Sequence, residues 1–226
     1  MHTDMNVIQS IELFSGICAE NIGKILNCAQ SNPQTFAEGE YIIKPNTEIN
    51  KIAIVVSGKA HVISEDFWGN RTIISEVGEG EIFGEAHAIV LYEIPTYGVV
   101  AQCPTTVLFL DAGCIHNPCK EMAACHTQLL NNLLRILARK NISYMQKMDH
   151  ISKRSTRQKL LSYFSEQMNK HHSYEFDIPF NRQQLADYLS VDRSAMSSEL
   201  SKMQKDGLIR YNLNHFELLG NDYHEA

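Results

Sequence analysis

A polar helix face near the C-terminus carries the residues best suited to recognition chemistry. At helical spacing it presents one arginine, four serines and one lysine with no apolar interruption: Arg193, Ser194, Ser197, Ser198, Ser201 and Lys202. The guanidinium of Arg193 can donate to the two acceptors that guanine presents in the major groove of DNA. Serine side chains let a helix approach a duplex closely and can bond bases or phosphates. The face therefore predicts a helix that reads DNA.

Two short helices joined by a tight turn must position this face. Asn181 can cap the first helix, and Gln184 three residues later completes a capping box. Asp192 can cap the second helix, and Gly207 is typical of the residue just past a helix end. Both helices have apolar inward faces, formed by Leu185, Ala186, Leu189, Met196, Leu200 and Met203.

A predicted β-hairpin follows, with strands at 208–211 and 215–218 around an Asn-rich turn. Helix, three-residue turn, helix and hairpin in series are typical of a winged helix-turn-helix, whose second helix enters the major groove. Arg182 and Gln183 begin the first helix, where side chains and backbone N–H groups together suit contacts to phosphate. The alternative is an ordinary helical hairpin with a solvated serine face.

The charge of the chain is divided between its two ends. The net charge is −6, which is unusual for a nucleic-acid binder. Residues 1–150 hold ten Lys and Arg against sixteen Asp and Glu, whereas residues 151–220 hold ten against eight. The small basic excess lies with the predicted helix-turn-helix. We therefore expect modest non-specific DNA binding and a need for two half-sites.

A long helix is predicted at 119–151, which contains neither Pro nor Gly. One stripe has the alternating four- and three-residue spacing of a coiled-coil seam: Leu130, Leu134, Leu137, Asn141, Tyr144, Met148 and Ile151. A second stripe, Leu129, Leu133 and Ile136, could press the helix onto the preceding domain. A dimerisation helix is favoured because paired recognition helices need a symmetric dimer. The alternative is a helix buried on two sides within one chain.

A polar hinge is predicted at 152–155, followed by a helix at 156–168 with Leu160, Leu161 and Phe164 inward. Before the long helix, residues 21–112 have short segments rich in β-branched and aromatic residues, separated by glycines. The predicted strands are 35–43, 51–56, 59–64, 71–77 and 104–110, with Trp68-Gly69-Asn70 as a hairpin tip. Many short strands with glycine turns indicate a sandwich or barrel.

No segment of the sequence has the length of a transmembrane helix, and the N-terminus lacks the pattern of a signal peptide. We expect a cytoplasmic protein with no membrane partner, whose six cysteines are reduced. Cys114, Cys119 and Cys125 are spaced too loosely for the usual iron–sulfur or zinc sites. Buried structural thiols are therefore favoured, no metal site is predicted, and redox or metal sensing is the alternative.

The order of these parts resembles the CRP/FNR (cyclic-AMP receptor/FNR) family of bacterial transcription regulators. The most specific segments are FNRQQLADYLSVDRSAMSSELSKMQKDGLI, FAEGEYI, VVSGKAHV and GEGEIFGEA. The resemblance covers essentially the whole chain and implies an α+β fold. Its parts are a double-stranded β-roll of the cyclic-nucleotide-binding kind at 1–118, the dimerisation helix at 119–151 and the winged helix-turn-helix at 152–226. The implied function is sequence-specific binding of a homodimer to a palindromic operator under the control of an effector.

By position, Arg193, Ser194, Ser197 and Ser198 match the base-contacting residues of the family, and Arg182 and Gln183 match its phosphate contacts. Many members have Glu at the position of Ser194 and Arg at that of Ser198, so their operator preference does not transfer. Whether the bound protein activates or represses is open. An activator would have RNA polymerase as a further partner.

The effector site departs from the family pattern. Members that bind cyclic nucleotides use Gly-Glu at the start of a short helix and then an Arg-Ser or Arg-Thr pair. Gly84-Glu85 matches the first pair, but Pro95-Thr96 stands at the second, and residues 72–119 contain no Lys or Arg. A buried phosphodiester needs a paired cation or many N–H donors. We expect an unknown small effector other than cyclic AMP and no certain cofactor. Its predicted site is Gly84, Glu85, Thr96, Ser143 and Tyr144, and haem binding through His87 is a minor alternative.

A cupin-like enzyme is the remote alternative, because a β-roll is similar to cupin barrels. His61, Glu81, Glu85 and His87 do not form the His-x-His or His-x-Asp pairs of a cupin metal site. The sequence also has no G-x-S-x-G, P-loop or HExxH motif. We therefore predict no catalytic residues.

Overall fold

The computed structural model describes residues 5–68, 71–90, 93–118, 120 and 123–219. The chain divides into two compact units, residues 1–139 and 140–226. The long helix α5, Ala123–Ser152, contributes residues to both units. Its predicted start near Cys119 and the predicted tip at Gly69-Asn70 fall outside the described residues.

The first unit is built on two four-stranded antiparallel sheets, in the orders β1-β8-β3-β6 and β2-β7-β4-β5. The strands are β1 Asn32–Phe36, β2 Tyr41–Ile43, β3 Lys51–Ser57, β4 Ala60–Glu65, β5 Arg71–Val77, β6 Ile82–Phe83, β7 Tyr97–Ala101 and β8 Thr105–Asp111. The predicted β-roll is confirmed. The single strand predicted at 35–43 is wrong, because Gly39 at φ 79° turns the chain and places β1 and β2 in different sheets.

Short helices surround the roll: α1 Met5–Ser10, a 3₁₀ turn Glu12–Phe14, α2 Ala19–Cys28, α3 Glu85–Val90 and α4 Gly113–His116. Their apolar residues join a core with the inner faces of both sheets. Leu129, Leu133 and Ile136 of α5 are buried in the same core, which confirms the second stripe. Nδ2 of the buried Asn132 donates to the Leu13 carbonyl at 3.0 Å, so a polar bond also joins α5 to the roll.

The second unit contains the end of α5 and a helix-turn-helix flanked by strands. Its elements are α6 Thr156–His171, β9 Glu175–Asp177, α7 Arg182–Leu189, α8 Arg193–Lys205, β10 Ile209–Asn212 and β11 His215–Leu218. The predicted hairpin is confirmed within one residue, and β9 adds a third strand beside β11. The prediction for Leu161 is wrong. Leu161 is 38% exposed and Tyr163 is buried instead, since 160, 163, 164 and 167 lie on one helix face.

Candidate nucleic-acid interface

Helix α7 begins with the predicted capping box. Oδ1 of Asn181 accepts from the Gln184 backbone N–H at 2.9 Å, and Oε1 of Gln184 accepts from the Asn181 N–H at 2.8 Å. At the other end, Ser190 has a left-handed backbone, and Nζ of Lys159 donates to the carbonyls of Leu189 and Ser190. Both helix termini are therefore satisfied, so the turn into the next helix has a defined conformation.

Helix α8 is fixed in the same way. Oδ1 of Asp192 accepts from Oγ of Ser194 at 2.5 Å and from the Ala195 N–H at 2.8 Å. These bonds, the serine hydroxyl first, lower the pKa of Asp192. Met196, Leu200 and Met203 are completely buried, and Gly207 follows the helix at φ 72°. The inward face therefore anchors the helix and leaves its polar face outward.

The polar face lies where the sequence predicts it. Arg193, Ser194, Ser198 and Lys202 are exposed, and Ser197 is half-buried. Nζ of the exposed Lys202 lies 3.8 Å from the carboxylate of the half-buried Glu199. A face of this kind presents donors at its first turn and short side chains along its length. That arrangement fits the width and chemistry of a major groove.

The two residues predicted to contact phosphate at the start of α7 have different surroundings. Gln183 is exposed, and its Nε2 donates to Asp187 at 2.9 Å. The Arg182 guanidinium instead lies over the rings of Tyr211 and Phe216, at 4.9 and 5.1 Å, and Nη2 donates to the Leu213 carbonyl at 2.8 Å. Burial lowers the pKa of Arg182. Arg182 therefore binds the wing hairpin to α7 within this unit.

Two ion pairs that the sequence did not predict connect α6 to the recognition helix α8 and its end. Nη1 of Arg157 lies 3.4 Å from Glu199, and Nη2 lies 2.6 Å from Asp206. The pairs join α6 to Glu199 of α8 and to Asp206 just after α8, 42 and 49 residues later in the chain. No local pattern in the sequence could have indicated them.

The predicted effector residues fall in both units. Gly84, at φ 76°, precedes α3, where Glu85 is buried, and Thr96 is exposed just before β7. His87 Nδ1 lies 3.1 Å from the Tyr97 hydroxyl, so α3 and β7 are joined beside these positions. Ser143 and Tyr144 are exposed on the part of α5 that belongs to the second unit. The roll therefore holds three of the five predicted residues.

None of the described cysteines forms a disulfide bond: Cys18, Cys28, Cys103, Cys114 and Cys125. Cys114 and Cys125 are buried, whereas Cys119 lies outside the described residues. Within the described parts of the chain, no three His, Cys, Asp or Glu side chains form a group that could hold a metal ion. His87 is one of the predicted alternatives, and its contact with Tyr97 gives it a polar partner.

The predicted seam of α5 lies on the surface of the single chain. Leu134, Tyr144 and Met148 are 62%, 51% and 66% exposed, and Asn141 between them is also exposed. Leu130 and Leu137 are partly buried. Ile142 and Met145 widen the exposed apolar surface. Among the described helices, none has the length and apolar character needed to cross a membrane.

Two family models match the chain. Residues 33–121 match the cyclic nucleotide-binding domain, and residues 158–220 match the Crp-like helix-turn-helix domain. A sensory β-roll followed by this DNA-binding domain defines a two-domain transcription regulator. The chain belongs to the CRP/FNR family.

Solved structures share the fold at low identity, and the chain matches none of the curated proteins. CprK complexed with OCPA has a TM-score of 0.69 at 16% identity, over 87% of this chain and 91% of that chain. The c-di-GMP-responsive regulator CLP of Xanthomonas campestris has 0.64 at 15%, over 90% and 100%. A CooA variant of Carboxydothermus hydrogenoformans has 0.59 at 18%, over 97% and 94%. These likenesses show the fold and confirm the predicted α+β architecture.

Proposed function

We propose that the chain is a cytoplasmic, sequence-specific regulator that binds a palindromic operator as a homodimer and responds to a small effector other than cyclic AMP. The observation that carries the proposal is the two-sided character of α8. Its inward residues are completely buried, whereas its outward face is polar and begins with the exposed Arg193. A capped, anchored helix of this kind is suited to insertion in a major groove.

Each residue of the interface has a proposed role. Arg193 reads a base edge, Ser194, Ser197 and Ser198 bond bases or phosphates, and Lys202 and Gln183 contact the backbone of the duplex. Arg182 has two roles, because its guanidinium holds the wing and keeps a positive charge at the start of α7. A phosphate beside that position gains from the charge and from the N–H groups of the first helical turn.

The dimer forms through α5. Its seam, Leu130, Leu134, Leu137, Asn141, Tyr144 and Met148, includes exposed apolar residues that a second copy would remove from water. Asn141 supplies the polar position that fixes register in a two-stranded coiled coil. Two copies related by a dyad then present two α8 helices to an inverted repeat.

The effector binds in the roll, near Gly84, Glu85 and Thr96. No Lys or Arg occurs from residue 72 to residue 119, so this part of the roll offers no cation to a cyclic phosphate. CprK was solved with OCPA, and CLP is described as responsive to c-di-GMP. Neither description names cyclic AMP, which agrees with an input other than cyclic AMP in this fold.

Fluorescence anisotropy with a labelled duplex tests the proposal. The duplex is an inverted repeat selected from genomic DNA, preferably from near the chain's own gene, and the competitor is a scrambled duplex of equal length. We expect salt-dependent binding, at least about a thousandfold tighter for the repeat. Equal affinity for both duplexes would contradict sequence-specific recognition. We propose no catalytic activity.

A further inference from the structure

His150 is a buried polar side chain in the last turn of α5. It is 3% exposed, although its neighbours Met148 and Asp149 are exposed. The helix ends at Ser152, and α6 begins at Thr156. His150 therefore lies immediately before the short link that the sequence predicts to be a hinge.

The imidazole contacts α6 through both ring nitrogens. Nδ1 lies 2.8 Å from Oγ of Ser162, and Nε2 lies 2.5 Å from the Glu166 carboxylate. Oγ of Ser162 also donates to Asp149 at 3.1 Å, which adds a second side chain of α5 to the same cluster. Side-chain hydrogen bonds thus connect the end of α5 directly to α6 across the link at 152–155.

The same turns of α5 also contact α7, the first helix of the helix-turn-helix. The His150 ring lies 6.3 Å from the Tyr188 ring and meets Tyr163 of α6 edge-to-face at 5.8 Å. Nζ of Lys147 lies 5.2 Å over the Tyr188 ring. Burial, with a smaller contribution from Glu166, raises the pKa of Tyr188 to about 12. The phenol is therefore a neutral packing group at this junction.

We infer that His150 is a positioning residue that joins the end of α5 to α6 and α7, so that the helix-turn-helix moves together with residues 140–152. The division of the chain into two compact units agrees, since residues 140–152 belong to the DNA-binding unit. The link at 152–155, which we call the corner, is then rigid and does not act as a flexible hinge. The exposed part of the seam at Tyr144 and Met148 lies in the same unit. Dimer packing at these positions therefore sets the separation of the two recognition helices.

This inference rests on the proposed function. It predicts that loss of the His150 contacts changes the affinity for one kind of DNA and not for another. A single half-site needs only one helix-turn-helix, whereas an inverted repeat needs two held in a fixed relation. A flexible corner would lower the effective concentration of the second domain at its half-site. Loss of the His150 contacts should therefore weaken binding to the repeat and spare the half-site.

The experiment measures the affinities of the full chain for the selected inverted repeat and for a duplex of equal length with one half-site. His150→Phe keeps the ring packing and removes both bonds, and Glu166→Gln keeps the volume of its side chain and removes the charge. The matched control is His61→Phe, because His61 faces Glu76 at 3.3 Å in the roll. Hydrogen exchange of residues 153–156 reports the mobility of the corner.

We expect His150→Phe to weaken binding to the repeat at least about tenfold and to change half-site binding less than about twofold. Glu166→Gln should give the same split with a smaller loss, and His61→Phe should change neither affinity. Exchange at the corner should become faster in the first variant. Equal losses on both duplexes, or no loss on either, in folded protein would overturn the inference. Failure of the unmodified chain to bind either duplex would instead refute the proposed function.

Discussion

The two units of the molecule preserve different parts of their family pattern. The DNA-binding unit has capped helices, buried apolar faces and a small basic excess. These features all agree with DNA binding by the polar face of α8. In the roll, the strands are those of a cyclic-nucleotide-binding domain, yet no Lys or Arg occurs in residues 72–119. We therefore propose that the sheet fold and the ligand chemistry of the roll are separable, because sheet packing depends on apolar alternation and phosphate binding depends on a few charges.

The largest expected effect comes from breaking the proposed dimer. Tyr144→Glu combined with Met148→Glu places two charges in the seam, where a second copy would bury them. We expect light scattering to show a monomer and the affinity for an inverted repeat to fall at least about a hundredfold. Ile94→Glu, an exposed apolar position in the roll, is the control. A dimer that survives the double substitution would show that the seam is elsewhere.

Removal of the proposed base contact should give the next largest effect. Arg193→Ala should cost about 1–3 kcal/mol on the specific site and change binding to scrambled duplexes far less. Anisotropy titrations with both duplexes measure the difference. Arg139→Ala removes an exposed arginine that pairs with Glu12 in the roll unit, and it should leave both affinities unchanged. A uniform loss with Arg193→Ala would mean that Arg193 contacts phosphate.

Substitutions at Arg182 separate the contribution of its charge to DNA binding from the contribution of its packing to stability. Arg182→Ala should weaken binding to all sequences alike and reduce the salt slope by about 1. It should also lower the melting temperature, since stacking of a partly buried guanidinium contributes about 0.5–2 kcal/mol. Arg182→Lys should keep the slope and lose the stability, because it retains the charge without a planar group. An unchanged slope in the alanine variant would leave Arg182 with its wing contact alone.

The cap of α7 should give a smaller effect, confined to stability. Asn181→Ala removes the acceptor of the Gln184 N–H and should cost about 0.5–2 kcal/mol in the free energy of unfolding. Chemical denaturation of the full chain measures this cost. Asn131→Ala, at an exposed position inside α5 and far from either end of that helix, is a reference for the substitution itself. Equal costs would show that the capping box does not stabilise the unit.

The last prediction is that cyclic nucleotides do not bind, and it tests the roll. Calorimetric titration with cyclic AMP and cyclic GMP should show no binding at micromolar concentration, because residues 72–119 supply no cation for the cyclic phosphate. Micromolar affinity for either nucleotide would mean that backbone N–H groups or distant arginines replace the missing charge. The roll would then have kept its ligand chemistry as well as its fold.

The sequence predicted best those features that depend on neighbouring residues. The capping box at Asn181, the cap at Asp192, the end at Gly207 and the buried stripes of α7 and α8 all follow from local spacing. Strands β6 and β9, with two and three residues, are too short to show an alternating pattern. They are held by pairing with β3 and β11, and the sequence does not show such pairing.

Long-range contacts explain the remaining differences. Arg182 has the residue type expected of a phosphate ligand, but its surroundings come from the wing, about thirty residues later in the chain. The surroundings of His150 come from Ser162, Glu166 and Tyr188, twelve or more residues later in the chain. Residue type and spacing thus indicate what a side chain can do, whereas its partners depend on the tertiary fold.

The mass of the protein–DNA complex tests the central claim most directly. Light scattering on the full chain bound to a genomically selected duplex gives the number of chains per duplex. We expect two chains on an inverted repeat whose half-site centres lie about 34 Å apart. One chain per duplex, or no retained duplex even at low ionic strength, would contradict it.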